Sequence, residues 1–201
     1  MAEIKSVCVY CGSATGGDPA YLEAARTFGE ALARAKIRLI YGGGGIGMMG
    51  AVADAVQNAG GSVLGVIPEF LVAREHARNG KRKLIVVRDM HERKRTMFDK
   101  ADAFVALPGG VGTLEELVEQ LAWLQLDQHK KPLLLANIKG FWNPLIALFK
   151  HLHAEGFVYG NLPVLIAEDA KDIVPKLRAA LRAIPNAELH GAAAKAVVEG
   201  I

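Results

Sequence analysis

The sequence predicts an α/β fold: a Rossmann-like, doubly wound parallel sheet of about seven strands with helices on both faces. Short apolar runs rich in β-branched residues recur along the 201 residues, and stretches with helical periodicity separate them. The runs are apolar on both faces, as expected for parallel strands that helices cover on both sides. Three runs end in glycine-rich turns, at the sheet edge where folds of this class bind ligands.

Each element follows from a local pattern. The predicted strands cover residues 6–11, 37–41, 62–67, 83–88, 103–107, 132–137 and 163–167. Helical spacing of apolar residues predicts helices over 19–35, 47–59, 90–101, 143–155 and 169–183, and one more that opens in the segment 107–116. In that last helix the periodic residues are Leu114, Leu117, Val118, Leu121 and Leu124. We expect right-handed crossovers between the parallel strands.

Composition predicts one domain with a substantial core, because 51% of the residues are hydrophobic and 22% are charged. This domain is expected to span residues 1–184, and the Ala-rich stretch 185–201 is expected to be loosely ordered. No apolar run approaches the ~20 residues needed to cross a bilayer, and residues 1–5 lack the apolar core of a signal peptide. We therefore expect a cytoplasmic protein without membrane contact.

The segment 107–116, Leu-Pro-Gly-Gly-Val-Gly-Thr-Leu-Glu-Glu, combines an anion cradle with a carboxylate. Its three glycines let the backbone approach a ligand closely, and the free N–H groups of the first helical turn are expected to face a bound phosphate. Glu116 is expected on that same first turn. Thr113 and Glu116 also have the spacing of a capping box, in which both side chains satisfy backbone donors. The two interpretations can coexist.

Two further glycine turns are expected on the same rim, at residues 11–13 and 42–50. The segment 45–50 matches G-x-G-x-x-G, with Glu69 placed 19 residues after Gly50, so a dinucleotide site is one alternative. Against it, the match lies on the second βα unit, and Glu69 follows a proline instead of ending a strand. Tight packing between helix and strand is another explanation of the glycines. Met49 is expected to pack in the core or to line a base pocket.

The two cysteines form Cys8-x-x-Cys11, a spacing also found in redox pairs. The segment around them is predicted to be a strand, which points the two side chains to opposite faces, whereas redox pairs sit at a helix N-terminus. Redox chemistry is therefore disfavoured. Zinc is disfavoured too, because there is no second cysteine pair.

Net charge is +3, and a third of the 24 basic residues fall within residues 78–95. Such a cluster suits nucleic acid, a phosphorylated small molecule or a solvated surface. Without interleaved aromatic residues or a recognisable nucleic-acid motif, nucleic acid ranks last. We expect a small phosphorylated ligand.

Taken together, five motifs resemble those of the Lonely Guy family of nucleoside 5′-monophosphate phosphoribohydrolases, which activate cytokinins and were long labelled lysine decarboxylases. The resemblance spans roughly residues 6–150. It rests on Cys-Val-Tyr-Cys-Gly-Ser at 8–13, Tyr-Gly-Gly-Gly-x-x-Gly-x-Met-Gly at 41–50, Val-Ile-Pro at 66–68, Met-His-x-Arg-Lys-x-x-Met at 90–97 and the Pro-Gly-Gly block at 108–116.

The resemblance implies hydrolysis of the N-glycosidic bond of an adenosine 5′-monophosphate, N6-modified or not, to free base and ribose 5-phosphate, without a metal or a cofactor. By position, Arg93 and Glu116 correspond to the catalytic pair, and Glu75, Lys94 and the 110–113 turn to substrate contacts. The remaining predicted contacts come from the glycine turns. The full set of predicted substrate contacts is Gly12, Ser13, Gly43, Gly44, Gly47, Met49, Glu75, Lys94, Pro108, Gly109, Gly110, Val111, Gly112 and Thr113.

Elementary chemistry agrees with the catalytic pair. Glycosidic cleavage passes through an oxocarbenium-like transition state, so a carboxylate such as Glu116 can stabilise the sugar or activate water. Arg93 can bind the departing base or the phosphate, but its guanidinium does not readily give up a proton. A non-catalytic nucleotide-binding or sensor protein with the same glycine rim is the alternative.

Two departures from the family pattern leave the preferred base open. Ala73 stands where proline is frequent, and Ala122 where threonine is frequent before the tryptophan. The resemblance also implies a homodimer, and apolar helix faces such as that around Trp123 and Leu126 can supply its interface.

Overall fold

The computed structural model describes residues 3–73, 83–158 and 162–184. Within them lie the strands β1 (Ser6–Tyr10), β2 (Arg38–Tyr41), β3 (Val63–Pro68), β4 (Lys83–Val87), β5 (Ala103–Ala106), β6 (Leu133–Ala136) and β7 (Val164–Ala167). The helices are α1 (Pro19–Arg34), α2 (Gly47–Asn58), α3 (Met90–Lys100), α4 (Val111–Gln125), α5 (Asn143–Ala154) and α6 (Ile173–Ala183), with short 3-10 turns at 69–71, 138–140 and 170–172. The predicted strands and helices are confirmed, apart from the 3-10 turn that replaces the start of the last helix.

All seven strands form one parallel sheet in the order β4-β3-β2-β1-β5-β6-β7. The chain moves outward from β1 in one direction, then returns to the other side of β1 with β5. Val7 pairs with Ala103 and Tyr10 with Ala106 at this junction. The strand order therefore reverses between β1 and β5, which is where doubly wound sheets open a ligand crevice at their carboxyl ends. The predicted fold class is confirmed.

Two apolar cores cover the two faces of the sheet. One contains Phe28 of α1, Val52 of α2 and Leu177 of α6, and the other contains Met97 of α3 and Leu117 of α4. Helices thus cover both faces, and strands such as β1, β3, β5 and β6 are buried on both sides. This burial explains why the strand sequences are apolar throughout instead of alternating.

The two cysteines lie on opposite faces, as predicted. Cys8 belongs to the core under α3 and α4, and Cys11 to the core under α1 and α2. Both are buried and outside any disulfide. Burial raises the pKa of the Cys8 thiol, which keeps it protonated and unreactive.

Aspartate caps fix the start of two helices. Asp18 accepts a hydrogen bond from Ala20 N (2.8 Å) and precedes Pro19, the first residue of α1. Asp89 accepts from Glu92 N (2.8 Å), so α3 begins sharply at Met90. This helix start sets the direction in which the side chain of Arg93, one turn later, projects from α3.

None of the described helices is both long and apolar enough to cross a membrane. The expected domain boundary at residue 184 and the stretch 185–201 involve residues outside the described part of the chain.

Candidate active site

A cavity of about 250 Å³ opens at the carboxyl ends of β1 and β5. Its wall includes these predicted site residues: Gly12, Ser13, Met49, Arg93, Gly110, Val111, Gly112, Thr113 and Glu116. Five further residues line it that were not among the predicted site residues: Val9, Cys11, Gly42, Met90 and Glu115. The turns after β1, β2 and β5 do meet on one rim, as predicted. The motifs thus converge from segments more than 80 residues apart.

Helix α4 offers its N-terminus to this cavity. Gly110 is the N-cap residue, no described side chain caps the helix, and Leu114 N is the donor to Gly110 O (3.0 Å). Leu114 N is thus the first N–H group that binds a carbonyl within the helix. The N–H groups before it, those of Val111, Gly112 and Thr113, have no helix carbonyl to bind. Since all three residues line the cavity, this end of the helix is suited to an anion.

The capping-box interpretation is wrong. Thr113 is the third residue of α4, not its N-cap, and Glu116 is the sixth, so Glu116 lies on the second turn instead of the first. The Thr113 hydroxyl instead lies beside the glycine turn: a Cβ at Gly109 would come within 2.2 Å of Thr113 Oγ1. Glycine at 109 is therefore required for the turn to close over the helix start.

Helix α2 differs from α4 because two of its N-terminal donors are already taken. Met48 N donates to Ala14 O (3.1 Å), and Met49 N donates to Gly12 O (3.2 Å). Gly47 has a φ of +60°, and a Cβ there would lie 2.0 Å from Ser13 O. The G-x-G-x-x-G segment thus packs against the turn after β1, as the tight-packing alternative expects. A dinucleotide pyrophosphate would have to displace these contacts.

Besides Lys94, five described residues that were predicted as contacts are not part of the cavity wall: Gly43, Gly44, Gly47, Pro108 and Gly109. A Cβ at Gly43 would meet Ile67 and Leu84. Pro108 O accepts from Gly12 N (3.2 Å), which ties the turn after β5 to the turn after β1. Pro108 and Gly109 therefore hold the rim together through the backbone, and the predicted contact Glu75 lies outside the described residues.

Arg93 and Glu116 face each other from α3 and α4 across the cavity. Arg93 Nη2 lies 3.7 Å from Glu116 Oε1, and only 10% and 9% of the two side chains are exposed. Arg93 Nη1 contacts Met90 Sδ (3.7 Å), while Nε is buried without a hydrogen-bond partner among the described residues. The guanidinium therefore keeps donors available for a ligand.

Gly42 makes room for this arginine. A Cβ at position 42 would lie 2.1 Å from Arg93 Nη2, so any other residue there would push the guanidinium away from Glu116. The sequence shows Gly42 only as the first glycine of a run. Its contact with a residue 51 positions later is invisible to local pattern analysis.

Burial raises the pKa of Glu116 to about 7, and the positive charge of Arg93 offsets part of the effect. Glu115 and Glu119 raise that pKa further, whereas Lys94 lowers it. A carboxyl that titrates near neutrality can exchange a proton with a reacting group at physiological pH. Burial and a charge partner at one cavity are also the usual signature of a functional carboxylate.

Lys94, a predicted substrate contact, is held inside the α3–α4 interface. Its Nζ donates to Glu115 Oε1 (2.6 Å) and to Glu119 Oε1 (2.9 Å). Of the three, Glu115 is the residue on the described cavity wall. Another charge of the basic segment is engaged as well, since Arg88 pairs with Glu92 (3.1 Å).

A second cavity, of about 340 Å³, lies between α5 and strands β6 and β7. Aliphatic and aromatic side chains such as Ile146, Phe149 and Val164 line it, and its described wall carries no carboxylate. It thus lacks the acid that the first cavity has. Among the described residues, no group of three His, Cys, Asp or Glu side chains is arranged to hold a metal ion.

Sequence comparison finds relatives over most of the chain. A profile of the family described as "Possible lysine decarboxylase" matches residues 49–177. "Cytokinin riboside 5′-monophosphate phosphoribohydrolase LOG7" of Arabidopsis thaliana is 44% identical over 178 residues, which cover 88% of this chain and 82% of that relative. "Cytokinin riboside 5′-monophosphate phosphoribohydrolase" of Rhodococcoides fascians is 43% identical over 177 residues, covering 87% of this chain and 89% of that one.

Solved structures share the fold at lower identity. The molybdenum cofactor binding protein from Rippkaea orientalis superposes with a TM-score of 0.67 at 19% identity, over 90% of this chain and 99% of that one. The Moco carrier protein from Chlamydomonas reinhardtii has a TM-score of 0.69 at 21% identity, over 90% and 100%. At these identities the similarity concerns the fold alone.

Proposed function

The chain belongs to the Lonely Guy family of cytokinin riboside 5′-monophosphate phosphoribohydrolases, and on that premise we propose that the cavity at β1 and β5 is its active site. It is a hydrolase that releases the free base from a nucleoside 5′-monophosphate. One observation carries the assignment of the site: an uncapped helix N-terminus and a buried, near-neutral carboxylate belong to the same helix and line the same cavity.

The 5′-phosphate binds at the start of α4 in this proposal. The N–H groups of residues 111–113, for which no acceptor is found among the described residues, supply donors, and the positive end of the helix dipole adds attraction. The hydroxyl groups of Ser13 and Thr113 lie on the same wall and supply further donors. Because phosphate and carboxylate sites lie one turn apart on α4, a phosphate held at one end brings the ribose towards Glu116.

Glu116 and Arg93 carry the chemistry. Water attacks C1′ of the ribose as the bond from C1′ to the base nitrogen breaks, and the base leaves with the bonding electrons. Glu116 stabilises the cationic sugar and accepts the proton of the attacking water, a role that its pKa of about 7 supports. Arg93 donates hydrogen bonds to the departing base, which takes its proton from solvent. The products are free base and ribose 5-phosphate.

We propose adenosine 5′-monophosphates as substrates, with or without an N6 substituent. Met49 and Met90 give the cavity two flexible apolar side chains suited to an aromatic base. No cofactor takes part in the proposed reaction. Nucleic acid is not a proposed partner, because two charges of the basic segment, Arg88 and Lys94, are paired with carboxylates.

A homodimer is proposed through α4. Along one side of this helix Val111, Val118, Ala122 and Leu126 are exposed, with 84% of Val111 and 67% of Leu126 accessible. Exposed apolar stripes of this kind mark interaction surfaces. Val111 belongs to both the stripe and the cavity wall, so a second copy bound here covers the mouth of the site. Val118→Lys is expected to yield monomers by light scattering; an unchanged mass would refute this interface.

The test of the function measures free base. Purified protein is incubated with AMP, N6-prenylated AMP and the matching nucleosides, and released base is quantified by chromatography. Monophosphates are expected to react and nucleosides to react far more slowly, because the latter lack the anion for α4. Equal rates on nucleosides would contradict the anion site. Tight binding without release would favour the sensor alternative.

A matched pair of variants tests the catalytic carboxylate. Glu116→Gln is expected to lower kcat by ~10²-fold or more, the usual cost of one electrostatic stabiliser. Glu23→Gln, an exposed change on α1, is the control and is expected to keep full activity. Wild-type turnover by Glu116→Gln would refute the mechanism.

We place the enzyme in the cytoplasm, where its two reduced thiols are stable.

A further inference from the structure

Two consecutive residues of α3 engage three acidic residues of α4. Arg93 faces Glu116, and next to it the Lys94 ammonium binds Glu115 Oε1 (2.6 Å) and Glu119 Oε1 (2.9 Å). Glu115 and Glu119 are four positions apart, so they lie on one side of α4 and present both carboxylates to one cation. The Lys94 side chain is only 13% exposed, so it is held between the helices. Two of its three donors are thereby directed at protein carboxylates.

Glu119 depends on this contact. Its Oε1 binds Lys94, and its Oε2 is buried without a hydrogen-bond partner among the described residues. A partly buried carboxylate with one buried oxygen is unfavourable without its cation. Loss of the Lys94 charge would therefore leave Glu115 and Glu119 without their cation. These two carboxylates lie on either side of the catalytic Glu116 in the sequence.

We infer that Lys94 is a positioning residue for the Arg93–Glu116 pair, which ties α3 to α4 and screens Glu116 from its acidic neighbours instead of contacting the substrate. The inference rests on the proposed function for its kinetic consequences. Its geometric basis, a lysine bound by two carboxylates beside the catalytic ion pair, is independent of the substrate.

The charges acting on Glu116 come from α3 and α4, and two neutral groups of β1 also face it. Arg93 and Lys94 lower its pKa, and Glu115 and Glu119 raise it. On β1, the Cys8 thiol and the Tyr10 hydroxyl interact electrostatically with Glu116, and burial raises the pKa of both so that they stay neutral. Lys94 and Glu119 thus exert opposite effects on Glu116.

The opposite signs give a sharp experiment on the full-length enzyme. The pH dependence of kcat/KM is measured for Lys94→Gln, Glu119→Gln and the double variant. Ionised Glu116 is the active form, so kcat/KM falls at low pH as Glu116 is protonated, and this fall is the acid limb of the profile. Lys94→Gln is expected to move the acid limb up by about one pH unit, which makes the rate on that limb tenfold lower. Glu119→Gln is expected to move it down, and the double variant to return near wild type.

Two further variants serve as controls. Lys94→Arg keeps the charge and is expected to keep the limb near wild type. Lys100→Gln removes a cation from the exposed end of the same helix and is expected to leave the limb unmoved. If Lys94→Gln does not fold, the downward shift in Glu119→Gln still tests the inference.

Other outcomes overturn it. A raised KM in Lys94→Gln with an unmoved limb, and no effect of Glu119→Gln, would make Lys94 a substrate ligand. Lower stability with an unmoved limb would make it a purely structural tie. The carbon-13 titration of the Glu116 carboxyl, assigned with Glu116→Gln, reports the same shifts without turnover, so an enzyme inactive on every nucleotide still tests Lys94 separately from the proposed function.

Discussion

Replacing Glu116 by glutamine is expected to stabilise the protein above neutral pH while it abolishes activity. Glutamine resembles the protonated, neutral carboxyl that burial favours at this position. The folded-state pKa is about 7, against the ordinary glutamate pKa of 4.5. The difference of about 2.5 units, at about 1.36 kcal/mol per unit, corresponds to ~3 kcal/mol.

The sign and the pH window follow from these two pKa values. Below about pH 4.5 the carboxyl is neutral in both states, so Glu116 costs no electrostatic stability. As pH rises from about 4.5 to about 7, the unfolded state ionises first and the folded state of the wild type loses ~3 kcal/mol. Above pH 7 the loss is complete and constant. Glu116→Gln lacks this titration.

Urea unfolding of both proteins at pH 4.5 and pH 8 measures the effect. At pH 8 the unfolding free energy of the variant is expected to exceed that of the wild type by ~3 kcal/mol more than it does at pH 4.5. This corresponds to about 6–12 °C in Tm for a chain of this size. Glu23→Gln, on the surface of α1, is the control. A difference between variant and wild type that is the same at both pH values would refute the argument that burial of a charge controls this site.

The remaining predictions concern glycines. Gly42→Ala is expected to lower kcat/KM by about 100-fold, because its Cβ would displace the Arg93 guanidinium. Steady-state kinetics measure this change. An unchanged kcat/KM would show that Arg93 tolerates displacement. Gly47→Ala is expected to cost ~2 kcal/mol or more, since it adds a clash with Ser13 O to a left-handed backbone. Gly60→Ala has the same strain without the clash and is expected to cost about 1 kcal/mol by urea unfolding; equal costs would refute the clash.

The sequence predicted the fold well, because the signals involved are local. Strand and helix positions follow from apolar periodicity, and the parallel sheet follows from strands that are apolar on both faces. The rim also follows, since parallel strands end at the same edge and three of them end in glycine turns. Arg93 and Glu116 were both named from motifs, and the structure brings their side chains within 3.7 Å.

Local patterns failed where the answer depended on distant backbone groups. The spacing of Thr113 and Glu116 is that of a capping box, yet α4 begins at Val111 and leaves both residues inside the helix. The segment 45–50 has the spacing of a dinucleotide loop, yet carbonyls of the turn after β1 occupy its donors. The same glycines serve packing in one turn and ligand approach in another.

The sequence by itself determined the order of the elements, the edge of the sheet that carries the site and the chemical types gathered there, because each is written in residues close along the chain. Only the tertiary structure decided which N–H groups stay free, why position 42 must lack a side chain and which carboxylates Lys94 binds. These depend on distances across α2, α3 and α4, which are fixed when the helices pack against the sheet.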